Sequence, residues 1–113
     1  MEASVTPKVL AWFRTQKHIC SCAIEIKATT GNKIRENALQ PHQKQALLAA
    51  KHGVIVHKIA DNRTRLPFDA FMLTKAESYV VACFTAHRVC LVFDIDNWQG
   101  ASHDDEALFR IKL

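Results

Sequence analysis

A chain of 113 residues, 49% of them hydrophobic, can build one compact core and is too short for two ordinary domains. It contains no run of 18 or more apolar residues, so no transmembrane helix is expected, and "MEASVTPKVLAWF" lacks the basic-then-apolar order of a secretory signal. The formal net charge of +4 permits a polyanionic partner without demanding one, and a soluble, cytoplasmic protein is expected.

The first predicted element is a helix over about 6–17. Thr6 precedes Pro7 as an N-cap precedes a proline at the first helical position, and Val9, Leu10 and Phe13 recur at helical spacing. Trp12 belongs to the same apolar side. "HICSCAIEIKAT" alternates and reads as a strand over 19–28. "TGNKIRENAL" is a polar loop carrying Lys33 and Arg35. "QPHQKQALLAAKHG" is the clearest helix, with Pro41 in its first turn, Lys51 and His52 in its last, and Gly53 as its stop. "VIVHKIA" is a strand over 54–60. "FDAFMLT", "SYVVACFT" and "RVCLVFDI" follow as three strands joined by short turns, so hairpins are expected between them. "SHDDEALFRIKL" opens with a capping-like Ser102 and acidic residues, which predicts a short terminal helix.

The order α–β–α–β–β–β–β describes an α/β (α+β) domain with a mixed central sheet flanked by helices. The strand–helix–strand unit predicts parallel pairing of the first strand with that at 54–60. Four cysteines, Cys20, Cys22, Cys83 and Cys90, are even in number. Cys20 and Cys22 share the apolar face of their strand with Ile24 and Ile26, which suits reduced, zinc-free core residues.

Glu25 and Lys27 occupy the opposite face of that strand, since side chains two apart point the same way. One reading is an edge strand with a wet face. The other is phosphodiester chemistry: the carboxylate holds Mg²⁺ (or Mn²⁺), a hard cation that takes oxygen ligands, and the lysine faces the attacking water or the phosphate. Gln43 heads the helical stripe that continues through Leu47 and Ala50 and reaches toward the end of the Glu25 strand.

The segment from "AIEIKATTGNK" to "HGVIVHKI" resembles the second half of the PD-(D/E)XK nuclease core. It is most similar to the Holliday-junction-resolvase-like branch, with its RecU-type and VRR-NUC-type domains and small phage proteins. The matching residues are Glu25, Lys27, His42, Gln43 and Gly53, then "VIVHKI", over about a third of the chain. The resemblance implies a restriction-endonuclease-like core and a Mg²⁺-dependent DNA endonuclease, acting on branched DNA as a homodimer. Glu25 binds metal, Lys27 assists the nucleophile, and Gln43 positions water or phosphate. The chain departs from the pattern in one respect: no aspartate occurs from Met1 to Lys27, and Glu2 is the only acid upstream of Glu25. "RLPFDAFML" offers Asp69 as the relocated second ligand, or as a brace on the loop through Arg63 or Arg65. Asp94 and Asp96 read as a solvated strand end or turn, and His87–Arg88 as an exposed turn. Lys33, Arg35, Lys44, Arg63 and Arg65 are the expected phosphate contacts. The rivals are a non-catalytic nucleic-acid-binding module and a small phage-encoded interaction protein.

Overall fold

The structure is a computed structural model that describes residues 2–16, 22–58, 70–74 and 76–113. In chain order the elements are α1 (Glu2–Arg14), β1 (Cys22–Thr29), β2 (Lys33–Ile34), α2 (Pro41–His52), β3 (Val54–Lys58), β4 (Ala70–Thr74), β5 (Glu77–Phe84), β6 (Val89–Asp94), β7 (Ala101–Ser102) and β8 (Phe109–Lys112). Four strands form the main sheet in the order β1-β5-β6-β8, with β1 parallel to β5 and the other pairs antiparallel. β2 pairs with β7, and β3 with β4, as separate two-stranded sheets. No helix among the described residues is long and apolar enough to cross a membrane.

Alternation in the strands puts apolar residues on both faces of the sheet, so each face needs a cover. On one side Val5, Val9 and Phe13 of α1 pack with Tyr79, Val81, Cys83, Cys90, Val92 and Ile111, joined by Ile24 and Ile26. On the other, Leu47 packs with Val80, Ala82, Phe84 and Leu91, and Trp98 and Ala101 extend this cluster. Ser78 is fully buried there and donates its hydroxyl to the Leu47 carbonyl at 2.7 Å, as a buried hydroxyl requires.

Four expectations are corrected. α1 starts at Glu2, not Thr6, and Pro7 lies inside it. Val5, Val9 and Phe13 make one stripe at i, i+4 and i+8, and burying Val5 needs a turn upstream of the proline. β1 does not pair with the strand after α2. Its parallel neighbour is β5, and the β3–β4 hairpin is carried in the crossover between them. β4 therefore does not form a hairpin with β5. The C-terminal segment is the strand β8, not a helix. Its Ser102 N–H and hydroxyl bond Asp105 and Asp104, at 2.8 and 2.7 Å, making a turn out of residues that also serve as helix caps.

Candidate active site

β1 is an edge strand of the main sheet among the described residues. Its even positions, Ile24 and Ile26, join the α1 core. Its odd positions face α2, which lies over β1 and β5. Glu25 and Lys27 therefore stand between sheet and helix, with side chains 30% and 16% exposed.

Gln43 completes a group of three. Its Nε2 donates to Glu25 Oε1 at 2.9 Å, and its Oε1 accepts the backbone N–H of Gln40 at 3.0 Å. Using both ends of the amide fixes its orientation, because only one assignment of O and N satisfies both partners. The second bond is also a reciprocal cap at the start of α2, whose first turn otherwise has unpaired donors. Lys27 Nζ lies 3.5 Å from the same Glu25 Oε1. The carboxylate thus sits against the first turn of α2, where the helix dipole favours an anion.

Glu25 suits a hard divalent cation as one oxygen ligand, since Mg²⁺ takes one or two carboxylates together with waters and substrate phosphate. Among the described residues no group of three or more His, Cys, Asp or Glu side chains converges as a metal site. Asp69, the expected second carboxylate, and Arg63 and Arg65 lie outside the described residues.

Arg35 and Lys44 come together: both line a groove of about 520 Å³ with Glu36, Leu39, Pro41 and Trp98. Trp98 is buried and donates its indole N–H to the Glu36 carbonyl at 3.0 Å, so it fixes the loop that carries Arg35. Lys33 is exposed on β2, opposite Ser102.

Asp94 closes β6 and Asp96 stands exposed in the turn after it, and α2 supplies partners to both. Lys51 Nζ reaches Asp94 at 2.6 Å and Asp96 at 2.5 Å, and His52 Nε2 lies 3.1 Å from Asp96. Hydrogen bonds to the two aspartates raise the Lys51 pKa, and Lys51, then His52, lowers that of Asp96. These residues tie the last turn of α2 to the end of β6. The sequence shows Lys51 and His52 only as favourable C-terminal charges, because their partners lie more than 40 residues away.

Cys22, Cys83 and Cys90 are free thiols. Cys83 and Cys90 stand directly opposite one another on β5 and β6, both fully buried. The hydrogen bond with Cys90 and burial push the Cys83 thiol well above its ordinary range. Tyr79 is likewise raised, by burial and by its bond to Glu77. Cys20 lies outside the described residues.

Fold and site together define an α+β domain with a mixed four-stranded sheet, a helix on each face and a carboxylate–lysine–glutamine group under the second helix. Comparison with protein-family models, with curated proteins and with solved structures returns no match.

Proposed function

We propose that the chain is a metal-dependent phosphodiesterase of the PD-(D/E)XK type acting on DNA. The observation that carries this reading is the meeting of Gln43, from the first turn of α2, with Glu25 beside Lys27 on β1. Glu25 is one ligand of a Mg²⁺ or Mn²⁺ ion, and Asp69 is proposed as the second. Such an ion, when bound, polarises the phosphoryl oxygen and acidifies a water. Gln43 holds the Glu25 carboxylate in place through an amide that is itself anchored to the helix backbone. Lys27 puts a fixed positive charge where a phosphate oxygen gains negative charge. Lys33, Arg35, Lys44, Arg63 and Arg65 supply contacts to the backbone of DNA, branched structures included. A symmetric homodimer would present two such sites to two strands.

One observation favours a second reading, a non-catalytic nucleic-acid-binding module of the same fold. Among the described residues no group of three or more His, Cys, Asp or Glu side chains gathers at Glu25, and Glu25 Oε1 already meets both Gln43 and Lys27. Mn²⁺ binding followed by electron paramagnetic resonance separates the two. The phosphodiesterase reading expects saturable Mn²⁺ binding that is lost in Glu25→Gln and weakened in Asp69→Asn. Wild-type protein that binds DNA but takes up no Mn²⁺, with or without DNA, would establish the binding module instead.

A further inference from the structure

The far edge of the sheet carries cations that the candidate site does not use. Register brings the end of β1 to the end of β5, the start of β6 and the end of β8: Thr29 is opposite Phe84, Phe84 opposite Val89, and Val89 opposite Lys112. Two concavities adjoin at this end. One, of about 500 Å³, is lined by His87, Arg88, Val89, Arg110 and Lys112. The other, of about 410 Å³, is lined by Ser4, Val5, Lys8, Thr85, Arg88 and Leu113. Arg88 belongs to both, and neither wall includes an acidic residue among the described residues.

Lys8, Arg88, Arg110 and Lys112 come from three places: α1, the β5–β6 turn and β8. None of the four enters an ion pair among the described residues, whereas Lys51 on α2 is doubly paired. On β8, Arg110 and Lys112 flank Ile111, which packs on α1, so alternation turns both to the face away from α1. Arg88, Arg110 and Lys112 share one concavity, where like charges repel one another in the free protein and a polyanion relieves that repulsion.

The backbone of Arg88 is an independent sign. It lies in the left-handed region, with φ 52° and ψ 43°, and is the only non-glycine residue with positive φ among the described residues. Its N–H bonds the Thr85 carbonyl at 3.2 Å, and its carbonyl accepts from Leu113 at 2.9 Å, so the conformation is held from both sides. A glycine would make this turn without strain. The chain instead places there a long cationic side chain that opens onto both concavities.

We propose that Arg88, Arg110 and Lys112 form a surface that binds the phosphodiester backbone of DNA. This takes the choice of polymer from the proposed function, but the surface itself stands on its own geometry. An extended polyanion fits better than a compact one. α2 returns antiparallel to β1, delivering Ala50 to Ala76 just before β5, so its first turn and the Arg35–Lys44 groove lie at this same end of the sheet. Three inter-strand spacings, about 14 Å, separate β1 from β8.

Binding of a fluorescein-labelled DNA duplex, measured by anisotropy from low to high KCl, tests this. The triple variant Arg88→Gly, Arg110→Gln and Lys112→Gln is compared with wild type, with circular dichroism melts to verify folding. Arg88→Gly removes the left-handed strain, and the other two positions are exposed, so the variant is expected to fold. Each lost phosphate contact lowers the slope of log K against log salt by about 0.9, so the triple variant should lose almost 3 in slope. Its affinity at 0.1 M salt should fall on the order of 100-fold. The titrations are run in EDTA, where no metal-dependent step operates, so failure of the cleavage site and failure of this surface read out separately. A folded triple variant with wild-type affinity and slope overturns the proposal, as does wild-type protein that binds no duplex at low salt. Binding to vesicles of phosphatidylserine and phosphatidylcholine at 3:7, with none to DNA, would assign the surface to membranes and overturn it equally.

Discussion

A single oxygen, Oε1 of Glu25, takes both the Gln43 amide and the Lys27 ammonium. Strand alternation is enough to see that Glu25 and Lys27 share a face, and the 3.6-residue period is enough to see that Gln43 heads the stripe of α2. The anchoring of that glutamine to Gln40 was not visible, because a capping bond depends on where the helix starts to within one residue. Backbone conformation at single residues gives a clean pair of opposite outcomes. Gly100 has φ 87°, and a Cβ there would stand 2.9 Å from the Ile34 carbonyl oxygen and 3.0 Å from the Glu36 nitrogen. Gly100→Ala should therefore lower stability by more than about 1 kcal/mol in urea unfolding. Arg88→Gly, which relaxes a left-handed non-glycine residue, should leave stability unchanged or raise it by about 1 kcal/mol in the same assay. Loss of stability in Arg88→Gly would show that its side chain contributes to the fold.

α2 is held at both ends by unlike devices. Gln43 binds its first turn to β1, and Lys51 with His52 binds its last turn to Asp94 and Asp96. Its bounds were legible, from Pro41 at the start to Gly53 after the end, because capping chemistry is local. α1 and β8 were misjudged for the same reason in reverse. Thr6–Pro7 and Ser102 carry local signals for a helix start, and burial of Val5 and pairing of β8 with β6 override them. The charge cluster on α2 has a defined pH window. Asp96 has its pKa lowered below 3.8, so its contribution is present above that value and fades as pH falls through the lowered folded value. Lys51 has its pKa raised above 10.5, so its contribution is complete below 10.5 and is lost as pH rises through the raised value. Asp96→Asn should thus lower the urea midpoint at neutral pH, with the difference shrinking as pH falls below 3.8. A difference that does not shrink as pH falls below 3.8 would mean that Asp96 stabilises by something other than its charge.

Across the whole molecule, the mixed α+β class was legible and the strand pairing only in part. Hydrophobic alternation marks strands but does not name their neighbours. The parallel partner of β1 is β5, reached after α2 and the β3–β4 hairpin, not the next strand in the chain. The two cores on either side of β5 and β6 depend on this pairing. Leu91, 1% exposed in the α2-side core, is a fair probe: Leu91→Ala should destabilise by about 2–5 kcal/mol in urea unfolding. A smaller loss would mean that this face of the sheet is loosely packed. The pairing also sets Glu25 on one edge of the sheet and the Arg110–Lys112 strand on the other, so that the proposed catalytic group and the proposed binding surface lie at separate edges.

That division is tested most directly by single-turnover cleavage of end-labelled duplex and four-way-junction DNA in Mg²⁺ or Mn²⁺, with wild type and Glu25→Gln each at DNA-saturating concentration. Loss of a metal ligand acts on the chemical step far more than on affinity. The expected result is cleavage by wild type and none by Glu25→Gln, with equal DNA affinity. Equal cleavage rates for the two proteins, or no cleavage by wild-type protein saturated with either DNA, would contradict the assignment of Glu25, Lys27 and Gln43 as a phosphodiesterase site.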